Sequence, residues 1–217
     1  MRTRVKICCI SSVEEARLAI RMGADALGLV GHMPSGPGVI SDDLIARISA
    51  NVPPPVHTFL LTSETQVESI IAHHRKVRTN TIQIVDTLTK GTYDDLRQAL
   101  PGVSLVQVVH VQDASALEQA HRCAPVVDAL LLDSGNPRAN TKILGGTGRT
   151  HDWQLSRQIV EAVDKPVFLA GGLHAGNVQQ AMTEVQPFGL DLCSGVRTAG
   201  QLDPHKLEAF MRAVHTA

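Results

Sequence analysis

Short apolar runs, many of them β-branched, alternate with amphipathic segments along the whole chain. Read as strands, the runs are Arg4–Cys9, Ala26–Val30, Val56–Leu61, Thr81–Val85, Ser104–Val109, Ala129–Leu132, Pro166–Leu169 and Gly189–Leu192. They are nearly all apolar, the pattern of parallel strands covered on both faces. A helix signal follows each one. Ser12-Val13-Glu14-Glu15 reads as a capping box, with Val13, Ala16 and Ile20 on one face and Gly23 as the stop. Ser63-Glu64-Thr65-Gln66 repeats the box ahead of Val67, Ile70 and Ile71. Asp203 caps the last helix, Pro204 opens it, and Leu207, Phe210, Met211 and Val214 line one side. The remaining helices start from Ser41, Thr92, Asp113, Asp152 and near Asn177.

Eight βα units with no break in composition predict a parallel sheet. An open doubly wound sheet has the same rhythm, but no G-x-G-x-x-G follows the first strand, and the count of eight matches a closed barrel. The expectation is an α/β fold, a single (β/α)8 TIM barrel, with residues 1–217 as one domain. Chemistry in such a barrel sits at the C-terminal ends of the strands.

Composition narrows the field of functions. With 43% hydrophobic residues in 217, the chain has enough apolar matter for one well-buried core. Lys and Arg number 20 against 21 Asp and Glu, and aromatics are 3%, so neither nucleic acid nor a membrane surface is expected as partner. No apolar run reaches the ~18 residues of a transmembrane helix, and the N-terminus shows no signal-peptide core, which predicts a cytoplasmic protein. The four cysteines, Cys8, Cys9, Cys123 and Cys193, form no C-x-x-C pair, and the ten histidines form no metal-ligand spacing.

The strand ends supply the candidate chemistry. In Lys6-Ile7-Cys8-Cys9, alternation sends Lys6 and Cys8 to one face and Ile7 and Cys9 to the other. Ile7 is the packing residue, so Lys6 and Cys8 point into the barrel with Cys8 at its mouth. A thiolate there is a proton acceptor, although a free cysteine is more often a small buried hydrophobe. The sixth strand ends Leu130-Leu131-Leu132-Asp133, an acid after three leucines that is either functional or the start of an Asx-turn. Behind it runs a long loop, Gly135 to His151, with Gly145-Gly146-Thr147-Gly148. Strand seven ends Ala170-Gly171-Gly172-Leu173 and strand eight Asp191-Leu192-Cys193-Ser194-Gly195-Val196-Arg197. Glycines in these two loops match the usual phosphate site of the fold, with Arg197 either an anion contact or a solvated charge.

These residues, in order, resemble the phosphoribosylanthranilate isomerase family. Lys6-Ile7-Cys8-Cys9-Ile10-Ser11 is similar to its K-I-C-G-I-T opening, and Gly23-Ala24-Asp25-Ala26-Leu27-Gly28 to its G-A-D-A-x-G stretch. Leu131-Leu132-Asp133, Gly145 to Gly148 with Trp153, Gly171-Gly172-Leu173 with Asn177-Val178, and Asp191 to Val196 resemble the later motifs. The resemblance implies an Amadori rearrangement of an N-linked phosphoribosylamine, which for an anthranilate-linked substrate is a step of tryptophan biosynthesis. It assigns Cys8 as general base and Asp133 as general acid. Lys6, Gly146, Gly171, Gly172, Asp191, Ser194, Gly195 and Arg197 become substrate- or phosphate-binding candidates, with no cofactor and no metal. The partner is a small phosphorylated sugar, and monomer and homodimer both stay open.

Four departures matter. The family's arginine in the loop after strand two, which holds the anthranilate carboxylate, is Gly38 here, and residues 31–46 contain no Lys or Arg. The fourth strand reads Gln83-Ile84-Val85-Asp86 in place of Q-L-H-G, and Cys9 and Arg197 replace a glycine and a glutamate. The pattern therefore admits a true isomerase that uses another cation, with His32 or Arg197 as candidates, or a paralogue with a different head group. A barrel that only binds a sugar phosphate is a third reading, disfavoured by the presence of both Cys8 and Asp133. An epimerase or aldolase on a related barrel lacks a metal set, and only the first matched strand end carries a lysine, Lys6.

Overall fold

A computed structural model describes residues 2–135 and 152–216. Eight parallel strands close into a barrel in sequence order: β1 Arg4–Ile7, β2 Ala26–Val30, β3 His57–Thr62, β4 Thr81–Ile84, β5 Ser104–His110, β6 Ala129–Asp133, β7 Val167–Leu169 and β8 Gly189–Leu192. The outer helices are α1 Val13–Arg21, α2 Asp42–Ser49, α3 Val67–Val77, α4 Tyr93–Ala99, α5 Ser115–Cys123, α6 Trp153–Ala162, α7 Val178–Val185 and α8 Pro204–His215. A two-stranded antiparallel hairpin, β9 Arg197–Thr198 with β10 Gln201–Leu202, leads into α8. The barrel closes between β1 and β8, where Lys6 stands opposite Asp191 and Ile7 opposite Leu192.

Alternation along each strand divides the apolar side chains into two cores. Leu60, Ile82, Ile84, Leu105, Val109, Leu130, Leu132 and Leu190 face outward and pack under the helices. Phe59, Leu61, Val106, Val108, Ala129, Leu131 and Phe168 face inward and fill the barrel. Both sets are buried, which is why the strands read as apolar runs rather than as alternating ones. By the same parity Lys6, Gln83, Asp133 and Asp191 point into the barrel, and the first, second and fourth of these are among its most buried polar residues.

The helix starts follow the capping residues in most places. Ser12, Ser41, Thr92, Asp152 and Asp203 each accept a first-turn N–H, and at Thr92 the reciprocal box with Asp95 is complete. Two expected boxes differ. At Ser12 the Glu15 carboxylate does not return to the cap but accepts from the N–H of Ser11, at 2.9 Å. Ser63 does not cap α3, which starts at Val67 after Gln66; its hydroxyl donates instead to the His32 carbonyl, at 3.0 Å. Strand β1 also stops two residues short of the expected Cys9, because Cys9 has φ 61°, in the left-handed region where no strand continues.

The outer core predicts a direct stability effect. Ile82 is fully buried between β4 and the helices. Ile82→Ala is expected to cost about 2–5 kcal/mol, read as a lower urea midpoint at unchanged m-value.

Candidate active site

A cavity opens at the C-terminal end of the barrel. Its walls come from every quarter of the sheet: Cys8 and Cys9 after β1, Gln83 on β4, Asp133 on β6, Gly171 and Gly172 after β7, and Asp191 and Ser194 around β8. The loop after β2 contributes Met33, Ser35, Gly36 and Pro37. The cavity thus brings together Cys8, Asp133, Gly171, Gly172, Asp191 and Ser194 from the residues singled out in the sequence. Gly146 lies outside the described residues.

Cys8 is held at the mouth of the barrel by its own backbone, whose N–H donates to the Leu192 carbonyl at 2.8 Å. A side chain added at Gly28 would fall 2.7 Å from Cys8 Sγ and 3.1 Å from Lys6 Nζ, so both side chains lean over the same glycine of β2. Lys6 lies below. Its ammonium is fully buried, 2.9 Å from Asp191 Oδ1 and 5.1 Å from the centre of the Phe59 ring. Burial works against that charge, yet Asp191 and Cys8 outweigh it, and the Lys6 pKa is raised above its ordinary value. The lysine does not line the cavity and so does not make the expected substrate contact; it takes the other course open to an inward lysine and pairs with an inward acid, Asp191, which does line it.

Asp133 is buried at the end of β6. Its Oδ1 accepts from the N–H of the next residue, Ser134, at 2.7 Å, one residue short of an Asx-turn. Burial pushes its carboxyl above the usual range, and Asp191 adds to the shift; the Ser134 N–H and His110 oppose it without cancelling it. A carboxyl so placed retains a proton where an exposed one has lost it.

The loops after β7 and β8 are built around glycine. Gly171 and Gly172 have φ of 88° and 63°, and Asn177 fastens the loop by donating to the Gly172 carbonyl at 3.0 Å and accepting from the His174 N–H at 2.9 Å. A Cβ on Gly195 would sit 2.0 Å from the Leu173 carbonyl oxygen, so only glycine lets the two loops touch. Gly195 supports this surface rather than lining it.

Arg197 is the clearest correction. Neither lining the cavity where a substrate anion would sit nor solvated, its side chain is 7% exposed and bound to Glu15, with Nη1–Oε1 at 3.0 Å and Nη2–Oε2 at 3.1 Å. It also donates to the carbonyls of Cys8 and Cys9. This partnership holds the Glu15 carboxyl below its ordinary value against the effect of burial. His32, the other candidate cation, is exposed and does not line the cavity. Gly38, at the place of the expected arginine, has φ 82° and faces Cys9; a Cβ there would lie 2.5 Å from that of Cys9.

Around Cys9 the thiols interact. The neighbouring Cys193 and Cys8 thiols, with burial, push the Cys9 thiol far up, whereas Cys9 and Arg197 lower Cys193 against burial; the Cys9 thiol itself donates to the Pro37 carbonyl at 3.7 Å. Cys9 therefore stays protonated. A left-handed conformation at a residue with a Cβ costs roughly 1–2 kcal/mol, and the surrounding contacts must hold it in place.

Gln83 went unassigned as a site residue. It is 3% exposed, lines the cavity, and its Oε1 has no hydrogen-bond partner. The available signal was a glutamine between two outward isoleucines, Ile82 and Ile84, which places it on the inward face of the strand Thr81–Ile84.

Residues 5–213 match the family model of N-(5'-phosphoribosyl)anthranilate isomerase. The isomerase of Haloferax volcanii is 37% identical over 99% of this chain and 94% of its own length. That of Methanocella arvoryzae is 34% identical over 89% of each chain. Among solved structures, phosphoribosyl anthranilate isomerase of Thermotoga maritima superimposes with a TM-score of 0.81 at 28% identity, covering 99% of this chain and all of that one. A phosphoribosyl anthranilate isomerase in complex with reduced 1-(o-carboxyphenylamino)-1-deoxyribulose 5-phosphate gives a TM-score of 0.78 at 27% identity, covering 99% of this chain and 100% of that one.

The buried ion pair generates a prediction. Lys6→Met leaves Asp191 buried opposite no cation and is expected to cost about 3–5 kcal/mol of stability. Adding Asp191→Leu should recover most of that loss in a denaturant titration; no recovery would mean that the lysine acts through packing alone.

Proposed function

The chain belongs to the N-(5'-phosphoribosyl)anthranilate isomerase family, and on that footing we propose that Cys8 and Asp133 are the base and acid of its reaction. The protein is an intramolecular isomerase acting on phosphoribosylanthranilate, in tryptophan biosynthesis. The reaction opens a ribose ring and moves a hydrogen from C2′, so it needs a proton donor at the ring oxygen and an acceptor at C2′.

Asp133, kept protonated by burial, gives its proton to the ring oxygen as the bond from C1′ breaks, leaving a Schiff base. Cys8 as thiolate takes the C2′ proton, and the electron pair flows to the nitrogen to form the enolamine. Tautomerisation of the enolamine then gives the 1-deoxyribulose ketone. The observation that supports this most is that β1 and β6, which are not neighbours in the barrel, deliver one thiol and one raised carboxyl to the same cavity.

The phosphate sits on the Gly171–Gly172 loop and at Ser194, which line the cavity and where glycine lets the backbone come close to an anion. Asp191 and Gln83 face the sugar, the first as an acceptor for its hydroxyls and the second through the unpartnered Oε1. The aromatic head group lies against Met33 and Pro37. Among the described residues no lysine or arginine lines this cavity, so the loop departs from the arginine-based carboxylate contact of the family. We take residues 1–217 as one barrel domain acting in the cytoplasm; no helix among the described residues is long and apolar enough to cross a membrane.

Loss of phosphoribosylanthranilate fluorescence measures the turnover. Cys8→Ala and Asp133→Asn are each expected to lower kcat by about 10²–10⁴-fold, and a variant that keeps most activity removes its residue from the assignment. Because the acid must hold its proton, kcat should fall as pH rises through the raised Asp133 value, above the ~3.9 of an ordinary aspartate.

The same shift bears on stability. The folded chain retains a proton that the unfolded chain releases, so this contribution is lost as pH climbs through the folded value. Asp133→Asn should then be at least as stable as the parent at neutral pH while being far less active. Inorganic phosphate is expected to raise KM and leave kcat alone; unchanged kinetics at high phosphate would remove the Gly171–Gly172 and Ser194 assignment.

A further inference from the structure

Arg197 and Glu15 are separated by almost the full length of the chain, yet they form a forked ion pair at the end of β1. Glu15 is itself fixed by the N–H groups of Ser11, at 2.9 Å, and Leu202, at 2.8 Å. The pair therefore joins the start of α1, the end of β1 and the β9–β10 hairpin. From this anchored position Arg197 Nη2 donates to the carbonyl of Cys9 at 2.5 Å and reaches that of Cys8 at 3.3 Å. Arginine suits this task because its planar fork can serve a carboxylate and neighbouring carbonyls at once.

What it holds is strained. Cys9 has φ 61°, and its side chain presses towards Gly38, where a Cβ would stand only 2.5 Å away. Relaxation of Cys9 to an ordinary backbone conformation would rotate the peptide that joins it to Cys8 and turn the Cys8 side chain away from its place over Gly28. Glycine at position 9 would remove that tendency, since it takes positive φ as readily as negative.

We propose that Arg197 is a positioning residue for the base: by gripping the carbonyls of Cys8 and Cys9 it keeps Cys9 left-handed and Cys8 Sγ aimed into the cavity. The proposal rests on the reading of Cys8 as base. Arg197 does not line the cavity, and it acts through the strand end alone.

Arg197→Ala is tested in the parent chain and in the Cys9→Gly background, with Cys8→Ala alongside. In the parent chain it should lower kcat about tenfold, equivalent to ~1.4 kcal/mol in the barrier, with KM changed less than about twofold. In the Cys9→Gly background the same substitution should change kcat by less than about twofold, because nothing strained is left to hold. A general loss of structure, or a purely electrostatic influence of the guanidinium on the thiols, would reduce kcat equally in both backgrounds and overturn the proposal. So would an Arg197→Ala enzyme with parental kcat. If Arg197→Ala does not fold, Glu15→Gln, which loosens the guanidinium, is read by the same comparison. Retained turnover in Cys8→Ala would overturn the base assignment and this proposal together. Lost turnover in Cys8→Ala combined with equal losses in both backgrounds would overturn the positioning role alone.

Discussion

The barrel closes between its first and last strands, and at that seam Lys6 stands opposite Asp191, both removed from water. A buried ammonium without a partner would shed its charge or unfold its surroundings, and a buried carboxylate would do the same. The pair allows two charged side chains to occupy the inward face of the sheet beside Phe59, Val106, Leu131 and Phe168. Its worth lies less in net stability than in register, because a slip of one residue would bury each charge against the opposite face. Everything above it follows from this closure. Cys8 is the next inward residue after Lys6, and Asp191 is the carboxylate whose proximity adds to the upward shift of Asp133.

Above the ion pair the site is a compromise between packing and chemistry. Asp133, the proposed acid, is placed where water is scarce, so on that reading the cost to stability at neutral pH is also the source of its proton. The end of β1 shows a second compromise. A cysteine occupies a left-handed position that glycine would fill without strain, and two other parts of the chain are adjusted to it: Gly38 makes room, and Arg197 with Glu15 holds the carbonyls. Gly38 and Arg197 are remote from Cys9 in sequence and adjacent to it in space.

Much of this was legible beforehand because it follows from local rules. The parity of β1 sends Lys6 and Cys8 inward whatever the rest of the chain does, and the glycines after β7 and β8 mark loops whose backbones approach each other closely. The helix starts at Ser12, Ser41, Thr92, Asp152 and Asp203 are likewise properties of a few consecutive residues. Where the reading missed, a partner far along the chain had intervened. Ser63 looked like a cap until the His32 carbonyl claimed its hydroxyl, and Glu15 looked like half of a box until Arg197 drew it away. Gln83 did not stand out in its strand, since nothing local says that its amide oxygen is left without a partner.

The sequence by itself determined the eightfold alternation, which side chains enter the barrel, and the order of motifs that identifies the family. Those are periodic or local properties, set by the pleat of a strand and the turn of a helix. Only the tertiary structure decided which cation meets which anion. Lys6 went to Asp191 and Arg197 to Glu15 because closure of the barrel brings the first strand beside the last. A charge's role depends on what lies within a few ångströms of it, and that distance is set by the closed fold rather than by the separation along the chain.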